Sequence, residues 1–315
     1  LQVHLSGGEP TARKDLEEIL DAAVKAGLYT NLITAGVTLT RDRMMKLAEI
    51  GLDHVQLSIQ DVDPENADRI SAYKGGLAKK IEVSQWAKEA GMALTINAPI
   101  HRQNIHNVPR MIEFAIECGA GRIEIAHVQY YAWALLNRSS LMPTRESFMT
   151  AAKQVEEARE KYKGIIVIDM VVPDYYAKFP KPCMGGWAKQ ILNVTPSGRV
   201  LPCHAAESIT HLQFDNVKDR PLADIWLNGD AFNKYRGTEW MKEPCRSCPR
   251  KEIDFGGCRC QAFALTGDAA NTDPACSLSP MHEEWAKVAE VESHSTPPEF
   301  VYRRVGAVKV TVGGA

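Results

Sequence analysis

The chain has 315 residues, of which 45% are hydrophobic and 24% are charged, fractions that are ordinary for a globular protein. This composition excludes a disordered or collagen-like chain, and no apolar run approaches the ~20 residues that a membrane-spanning helix requires. The 37 basic and 39 acidic residues give a formal net charge of −2, so the charge does not predict a nucleic acid partner. A chain of this length predicts two domains, or one large domain with an appendage.

The first half of the chain repeats one unit, in which a helix ends at a glycine and a buried strand follows. The hydrophobic periods predict a strand at 2–5 and then, in order, helix 11–26, strand 28–34, helix 40–50, strand 55–59, helix 79–90, strand 93–98, helix 108–118, strand 122–128, helix 144–162 and strand 165–172. The repeat contains no hairpin signal, so it indicates right-handed crossovers and a parallel sheet.

This α/β pattern predicts six parallel strands. A dinucleotide-binding Gly-x-Gly-x-x-Gly turn is missing from the sequence, which favours a partial (β/α)6 barrel over a doubly wound sheet. The chain opens in mid-strand at Leu1, and we therefore expect a first β/α unit to precede it.

The predicted carboxyl ends of the strands are where a β/α barrel carries its chemistry. These ends hold glycines and polar residues that a purely structural strand end does not need: Gly7, Gly8, Glu9, Pro10, Thr34, Ser58, Gln60, Asn97, His127 and Gln129. Two consecutive glycines let a ligand approach the backbone, and Glu9 beside them could receive an ammonium group.

After residue 172 the sequence becomes rich in Pro, Gly and Cys, and its predicted helices become short. We therefore expect a barrel domain at 1–172, a connector at 173–182, a second domain at 183–292 that is organised around metal, and a C-terminal tail at 293–315.

Seven of the eight cysteines fall within residues 183–276. Clustered cysteines in a chain that can bury its own core more often hold metal than form disulfides. The pattern predicts two metal centres of four ligands each, drawn from eight residues: Cys183, Cys203, Cys245, Cys248, Asp254, Cys258, Cys260 and Cys276. Zinc and iron–sulfur clusters both accept four thiolates, so the spacing alone leaves both open. Cys118, on a predicted helix, is expected to be an ordinary buried residue.

Gly7-Gly8-Glu9-Pro10 at a strand end, the β/α repeat and the cysteine array together resemble a radical S-adenosylmethionine (SAM) enzyme with a C-terminal iron–sulfur SPASM domain. In that family the Gly-Gly-Glu-Pro segment binds the amino group of SAM. The SPASM pattern is Cys, a stretch, Gly-x4-Cys, a gap, Cys-x2-Cys-x5-Cys-x3-Cys, a gap and Cys. Gly198 and Cys203 fill the Gly-x4-Cys step, Asp254 replaces one cysteine, and Cys260 is additional.

The resemblance implies how these ligands divide between two auxiliary clusters. The first cluster would take Cys183, Cys203, Cys258 and, as its fourth ligand, Cys260. The second cluster would take Cys245, Cys248, Asp254 and Cys276. A carboxylate is a harder and more exchangeable ligand than a thiolate, so we predict an altered reduction potential or an opened iron site at the second cluster.

A closer resemblance covers nearly the whole chain. Four segments, 127–134, 192–198, 203–207 and 253–263, are similar to the PqqA peptide cyclase family, which acts in pyrroloquinoline quinone (PQQ) biosynthesis. Members of this family join a Glu side chain to a Tyr ring within a precursor peptide, as the first step of PQQ biosynthesis. The Cys-x3-Cys-x2-Cys loop that holds the SAM-cleaving 4Fe–4S cluster is not in this sequence, and we expect it to precede Leu1.

The resemblance also implies the chemistry of an oxidoreductase. A 5′-deoxyadenosyl radical from SAM abstracts hydrogen from the substrate Glu, the carbon radical adds to the Tyr ring, and an auxiliary cluster accepts the electron that restores aromaticity. The expected SAM contacts are Gly7, Gly8, Glu9, Pro10, Ser58, Gln60 and Asn97. The candidates for catalytic contacts are His127, Gln129 and Tyr130, although packing roles for these three residues stay open.

The implied partners are a ribosomal precursor peptide, a small peptide chaperone and a flavodoxin-type electron donor, in the cytoplasm and with no nucleic acid or membrane partner. Two other interpretations remain open, namely another SPASM maturase of peptides or proteins, and a non-catalytic zinc-binding interaction module. Maturases that oxidise Ser or Cys keep a cysteine where this chain has Asp254, which favours the peptide cyclase.

Overall fold

The computed structural model describes residues 1–302, so the end of the expected tail, 303–315, lies outside the described residues. The chain forms two compact units: Leu1–Val128 with Pro143–Val171, and Gln129–Met142 with the chain from Val172 onward. Among the described residues, none of the helices combines the length and the apolar composition that crossing a membrane requires.

The first unit is built on a six-stranded parallel sheet. Its strands are β1 (Gln2–Leu5), β2 (Tyr29–Thr34), β3 (His54–Ser58), β4 (Ala93–Ile100), β5 (Arg122–His127) and β6 (Val167–Val171). They lie in the sheet in chain order, each parallel to the next. A sheet in sequential order has no point at which the strand order reverses, whereas a doubly wound sheet has one. The predicted partial (β/α)6 barrel topology is therefore confirmed.

Helices connect the strands and supply much of the second unit. They are α1 (Leu16–Lys25), α2 (Arg41–Ile50), α3 (Pro64–Ser71), α4 (Gly76–Glu89), α5 (Val108–Glu117), α6 (Ala132–Leu136), α7 (Arg138–Leu141), α8 (Arg145–Lys161), α9 (Leu222–Asn228), α10 (Asp230–Asn233), α11 (Lys251–Asp254), α12 (Arg259–Thr266) and α13 (His282–His294). Helices α1 to α5 and α8 belong to the first unit.

The two faces of the sheet differ in polarity. Leu57, Ile96 and Ile123 are neighbours in the sheet register and are fully buried. On the opposite face, Gln56 Nε2 donates to Glu124 Oε2 at 3.0 Å, reaching across β4. Because side chains alternate along a strand, one face supplies the apolar core and the other presents polar groups.

Side-chain caps and a glycine set the helix boundaries that the sequence predicts. Thr40 Oγ1 accepts from the N–H of Arg43 at 3.3 Å, and Thr144 Oγ1 accepts from the N–H of Ser147 at 3.1 Å, at the starts of α2 and α8. Gly51 ends α2 with a φ of 117°, a conformation that side chains other than glycine rarely adopt.

Two helical segments differ from the sequence prediction. Pro10–Ala12 forms a separate 3₁₀ turn, and α1 begins only at Leu16. The reason is that the Glu9 side chain caps this turn by accepting from the N–H of Thr11 at 3.0 Å. The prediction also omits α3, which Asp63 caps and a proline opens.

The second unit packs a hydrophobic core of its own. A two-stranded antiparallel hairpin, β7 (Asn193–Val194) and β8 (Val200–Leu201), lies in it. The buried side chains of this core include Trp187, Val200, Leu201, Ile209, Ile225, Phe232, Tyr235 and Cys260. The domain that the sequence predicts to be organised around metal therefore also holds an apolar core, whose short elements give it no sequence period.

Helix α13 ends at His294, two residues beyond the domain end expected at 292. Arg138 of α7 donates to both carboxylate oxygens of Glu292, at 2.8 and 2.7 Å. Its guanidinium carbon also lies 4.9 Å from the centroid of the Trp285 ring. This bidentate ion pair and the stacking contact join α7 to α13.

Candidate functional site

The Glu9 carboxylate follows β1 and is held by four donors. Its Oε1 accepts from the N–H of Thr11 at 3.0 Å and from the hydroxyls of Thr11 and Thr34, both at 2.6 Å. Its Oε2 accepts from the N–H of Ala35 at 2.8 Å. The carboxylate therefore joins the ends of β1 and β2, and Oε2 keeps a lone pair for a further donor. A fixed anion of this kind suits an ammonium ligand.

The glycines before Glu9 leave open space beside the backbone. Gly7 has a φ of 125°, and a Cβ placed at Gly7 or Gly8 would meet no described atom within 4 Å. A ligand can therefore approach the main chain here. Pro10, by contrast, is buried and begins the 3₁₀ turn, which gives it a structural role.

Lys80 of α4 is a site residue that the sequence analysis misses. Its side chain is only 4% exposed, and Nζ donates to Gln60 Oε1 after the end of β3. Burial lowers the pKa of Lys80 to about 8, and the charge of Glu9 opposes that decrease. Glu9 and Lys80 thus place an anion and a cation within electrostatic reach of each other. Such a pair suits a ligand that carries both an ammonium and a carboxylate group.

The sequence of α4 does carry a signal for Lys80, because this lysine lies on the face of the helix that is otherwise apolar or small. Leu77, Lys80, Ser84 and Ala87 recur at helical spacing and are all buried. A lysine on the apolar stripe of a helix is rare without a partner, because burying an ammonium is costly.

Asn97 of β4 lies beside Ser58 of β3 in the sheet register, as the predicted strand ends require. Its side-chain Oδ1 is buried and has no hydrogen-bond partner among the described residues. A buried acceptor without a donor costs free energy, which a ligand that donates a hydrogen bond would relieve. Ser58 and Asn97 lie on the polar face of the sheet, opposite the core positions Leu57 and Ile96.

A buried asparagine fixes the strand ends around these candidates. Asn104 Nδ2 donates to the backbone oxygens of Gln60 at 2.8 Å and of Pro99 at 2.9 Å. Because one side chain holds the ends of both β3 and β4, the spacing of the two strand ends is rigid.

His127 lies apart from these strand-end groups. Its ring meets Phe148 of α8 edge-on, with centroids 5.3 Å apart, and its Nδ1 lies 2.9 Å from the backbone oxygen of Val171. These contacts place the ring on the helix-covered side of the sheet and favour packing over contact with a ligand.

Gln129 and Tyr130 belong to the second unit. Gln129 is exposed, whereas Tyr130 is buried with its ring edge-on to Tyr175 at a centroid distance of 5.1 Å. Burial raises the pKa of Tyr130, so its phenol stays protonated. The contact with Tyr175 favours a packing role for Tyr130.

The four cysteines assigned to the first centre contact one another through their thiols. Cys183 pairs with Cys258, Cys258 with Cys260, and Cys260 with Cys203. The hydrogen bond from Cys260 lowers the pKa of Cys203 to about 5, and the bond from Cys183 lowers the pKa of Cys258. The same bonds raise the pKa values of the two donors, Cys183 and Cys260. The thiolate is the form of cysteine that binds metal. The structure therefore brings together all four predicted ligands of this centre.

The four ligands assigned to the second centre line one small pocket: Cys245, Cys248, Asp254 and Cys276. The Asp254 carboxylate is buried, with Oδ1 accepting from the N–H of Gly256 at 3.1 Å and Oδ2 from Arg250 Nε at 3.2 Å. Asp254 thus lies with the three thiols, where the sequence pattern predicts it.

Asp273 is a buried carboxylate that the sequence analysis misses. Its Oδ2 accepts from the N–H of Cys258 at 2.7 Å, and its Oδ1 accepts from Gln261 Nε2 at 2.8 Å and from the N–H of Ala275 at 2.9 Å. It therefore ties the start of α12, which carries ligands of the first centre, to the loop that carries Cys276 of the second. The nearest sequence signal is an aspartate three residues before a ligand cysteine.

Arg259 places a buried cation beside both centres. It stands between Cys258 and Cys260 in the chain and is 1% exposed. Its Nη1 donates to the backbone oxygens of Ala269 at 2.7 Å and Asn271 at 2.8 Å. Its charge lowers the pKa values of thiols in both sets, although burial and neighbouring thiols act more strongly on them. The cation therefore favours the thiolate forms in both sets.

The donor chemistry fits iron–sulfur clusters. The two sets supply seven cysteine sulfurs and one carboxylate in a single unit. Thiolates in sets of four are the usual ligands of 2Fe–2S and 4Fe–4S clusters.

Comparison with known protein families finds one match in the first half of the chain and one in the second. Residues 1–115 match the radical SAM superfamily, and residues 183–249 match the iron-sulfur cluster-binding SPASM domain. The chain is 57% identical over 313 residues to the PqqA peptide cyclase of Methylocella silvestris, which covers 98% of this chain and 83% of that protein. It is 58% identical over 304 residues to the PqqA peptide cyclase of Bradyrhizobium diazoefficiens, covering 96% of this chain and 80% of that protein.

Solved structures with the same fold include SuiB of Streptococcus suis. Its TM-score with this chain is 0.68 at 19% identity, covering 88% of this chain and 67% of SuiB. SuiB bound to its precursor peptide SuiA gives a TM-score of 0.67 at 18% identity, covering 88% and 65%. At such identity the likeness shows the fold alone, and it agrees with the predicted barrel and SPASM domains.

Proposed function

The chain belongs to the PqqA peptide cyclase family of radical SAM enzymes with a SPASM domain, and from this membership we propose that it joins a Glu side chain to a Tyr ring within a precursor peptide. The product is a carbon–carbon crosslink, made in the first step of PQQ biosynthesis. The names of the relatives from Methylocella silvestris and Bradyrhizobium diazoefficiens support a peptide substrate, as does the SuiB structure with its precursor peptide.

The observation that carries the proposal is the arrangement of eight candidate ligands in two separate sets of four within the second unit. Cys183, Cys203, Cys258 and Cys260 form the first set, and Cys245, Cys248, Asp254 and Cys276 form the second. Forming a bond from the Glu carbon to the Tyr ring removes two hydrogens from the peptide, so an electron acceptor is required. Two cluster sites in one domain meet that requirement.

In the first unit, the strand-end groups bind and orient SAM, which supplies the 5′-deoxyadenosyl radical when a reduced 4Fe–4S cluster is bound. We assign the open backbone at Gly7 and Gly8, with Glu9, to the ammonium group. Lys80 receives the carboxylate group, and Asn97 Oδ1 accepts a hydrogen bond. Ser58 and Gln60 line the same strand ends, and Pro10 shapes the turn.

At the second set, Asp254 replaces a cysteine as the fourth ligand. Its Oδ2 is shared with Arg250, so binding metal requires the carboxylate to loosen that ion pair or to use Oδ1. The resulting site has a harder and more exchangeable ligand than the first set, and we expect its potential to differ accordingly.

The remaining assignments follow from family membership. A small peptide chaperone delivers the peptide, a flavodoxin-type protein supplies electrons, and the protein acts in the cytoplasm. From their ring contacts we assign packing roles to His127 and Tyr130, and Gln129 lies at the surface. For the domains we propose the bounds that the sequence pattern predicts, with the barrel at 1–172, the connector at 173–182, the SPASM domain at 183–292 and the tail at 293–315; within the barrel range, Gln129–Met142 belongs to the second compact unit.

The crosslink itself is tested by mass spectrometry of the precursor peptide. The protein, reconstituted anaerobically with iron and sulfide, is given SAM, reductant, chaperone and peptide. The expected product is lighter by two hydrogens, with the fragment spectrum linking one Glu to one Tyr. An unchanged peptide, or a modification at another residue type, would contradict the proposal, and the latter outcome would indicate a different SPASM maturase.

A pair of cysteine variants separates the cluster requirement from cysteine loss in general. Cys203→Ala removes a first-set ligand and should abolish the crosslink together with part of the bound iron. Cys118→Ala removes a buried thiol outside both sets, and both crosslink and iron content should persist. If Cys203→Ala retained full activity, the first set could not be the electron acceptor.

A further inference from the structure

Tyr131 and His204 form a hydrogen-bonded pair beside Cys203 that the proposed reaction does not use. The Tyr131 hydroxyl oxygen lies 2.7 Å from His204 Nε2, and His204 Nδ1 lies 3.9 Å from Cys203 Sγ, within hydrogen-bonding range for sulfur. All three residues belong to the second unit. The two rings are tilted by 50° with centroids 6.1 Å apart, so the hydrogen bond, rather than stacking, joins them.

The hydrogen bond to Cys203 keeps the same direction in both protonation states of His204. A neutral imidazole that accepts the Tyr131 hydroxyl at Nε2 carries its proton on Nδ1, and an imidazolium carries a proton on both nitrogens. In either state Nδ1–H donates to Cys203 Sγ. The partners of the ring, rather than a visible hydrogen, assign this tautomer.

The exposure of His204 explains why the contact with Tyr131 is needed. Cys203 is 8% exposed, whereas the His204 side chain is exposed. An exposed imidazole rotates about its side-chain bonds unless a second contact holds it. The Tyr131 hydroxyl is that contact, so it keeps the Nδ1–H aimed at the buried sulfur.

We propose that Tyr131 and His204 are positioning residues that raise the reduction potential of the first auxiliary cluster by holding a hydrogen-bond donor on Cys203. The inference rests on the proposed function for its ligand set. A hydrogen bond to a cluster sulfur withdraws negative charge and stabilises the reduced state. The second set has no counterpart of this pair among its described hydrogen bonds, since Cys245 contacts Thr272 and Cys248 contacts a backbone N–H. The pair therefore raises the potential of the first cluster selectively, which suits an electron acceptor.

The test is a redox titration of the reconstituted protein, followed by electron paramagnetic resonance so that the two auxiliary clusters are read separately. His204→Leu should lower the equilibrium constant for reducing the first cluster about tenfold, which is about 59 mV for a one-electron couple. Tyr131→Phe should lower the same equilibrium constant by a smaller factor. His204→Asn keeps an N–H donor near the position of Nδ1 and should remain closer to the unmodified protein.

A second Tyr–His pair in the same unit supplies the matched control. Tyr235 and His211 also share a hydrogen bond, at 3.0 Å, and neither residue has a described hydrogen bond to a cysteine. Tyr235→Phe should therefore leave the first cluster's midpoint unchanged.

Equal midpoints in Tyr131→Phe, His204→Leu and the unmodified protein, at full iron content, would overturn the inference, and so would equal shifts of both clusters. If His204→Leu binds less iron, Tyr131→Phe decides the question, because it removes one hydroxyl only. The ligand set is checked separately by Cys203→Ala. If Cys203→Ala keeps all its iron, the proposed ligand set fails. If Cys203→Ala loses iron but the midpoints of Tyr131→Phe and His204→Leu are unshifted, only the Tyr–His inference fails.

Discussion

Lys80 is the residue of the candidate SAM site whose charge changes near neutral pH. Burial lowers its pKa to about 8 from an ordinary value of 10.5, so the ammonium is present below pH 8 and is lost as the pH rises through that value. Because the proposed ligand of Lys80 is a carboxylate, SAM binding should weaken above pH 8. A hydrogen bond to a charged group is worth about tenfold in affinity.

Calorimetric titration of SAM at pH 7 and pH 9 measures this effect. The amino group of SAM itself titrates near pH 8, so the informative quantity is the difference between the unmodified protein and Lys80→Met. We expect Lys80→Met to bind SAM about tenfold more weakly at pH 7 and to differ little from the unmodified protein at pH 9. Lys79→Met removes a neighbouring lysine that pairs with Glu82, and it should match the unmodified protein at both values. An equal loss in both variants would exclude the proposed role.

At the scale of residues, motif positions could be predicted from the sequence and partners could not. The cysteines and Asp254 occur at spacings typical of a cluster domain, whereas their proposed division into two sets comes from the family resemblance and not from the spacing. The roles of Lys80 and Asp273 depend on hydrogen-bond partners that the sequence does not indicate, such as Gln60 for Lys80. His204 follows a ligand cysteine, but its role depends on Tyr131, which is 73 residues away in the chain.

Among the structural elements, the loops around the cysteines are held by Asp273. Replacing Asp273 with Ala leaves three N–H donors without their acceptor, and each buried unpaired donor costs about 1–3 kcal/mol. We expect Asp273→Ala to release iron to a chelator at least about tenfold faster than the unmodified protein. Asp219→Ala, at an exposed position, should release iron at the normal rate. Equal rates for the two variants would show that Asp273 does not hold the ligand loops.

The strands and long helices of the first unit could be predicted because each carries its own signal. Thr40, Gly51 and Thr144 mark helix boundaries, and the alternation of the strands marks which faces are buried. The start of α1 could not be predicted, since the competing interaction is a Glu9 side chain that caps a turn while also bonding to Thr34 of the next strand. Helix α3 is only eight residues long and buries a single side chain, so its apolar period is weak.

At the scale of the whole molecule, the sheet of the first unit could be predicted from the sequence and the core of the second unit could not. A sequential parallel sheet follows from a repeat of helix, glycine and strand, because right-handed crossovers between neighbouring strands leave few alternatives. The second unit is built from short elements, and its core residues, such as Trp187, Ile225 and Phe232, recur at no fixed period. Its apolar core therefore could not be predicted, although its metal chemistry could.

The central claim, that a radical derived from SAM starts a bond between a Glu and a Tyr, is tested most directly by isotope transfer. The reconstituted protein receives a precursor peptide in which the side-chain hydrogens of the reacting Glu are deuterium. We predict that 5′-deoxyadenosine gains one deuterium for each crosslinked peptide formed, and that the crosslinked peptide has lost one deuterium and one ring hydrogen. Crosslinked peptide accompanied by unlabelled 5′-deoxyadenosine, or labelled 5′-deoxyadenosine with no crosslink, would contradict the account.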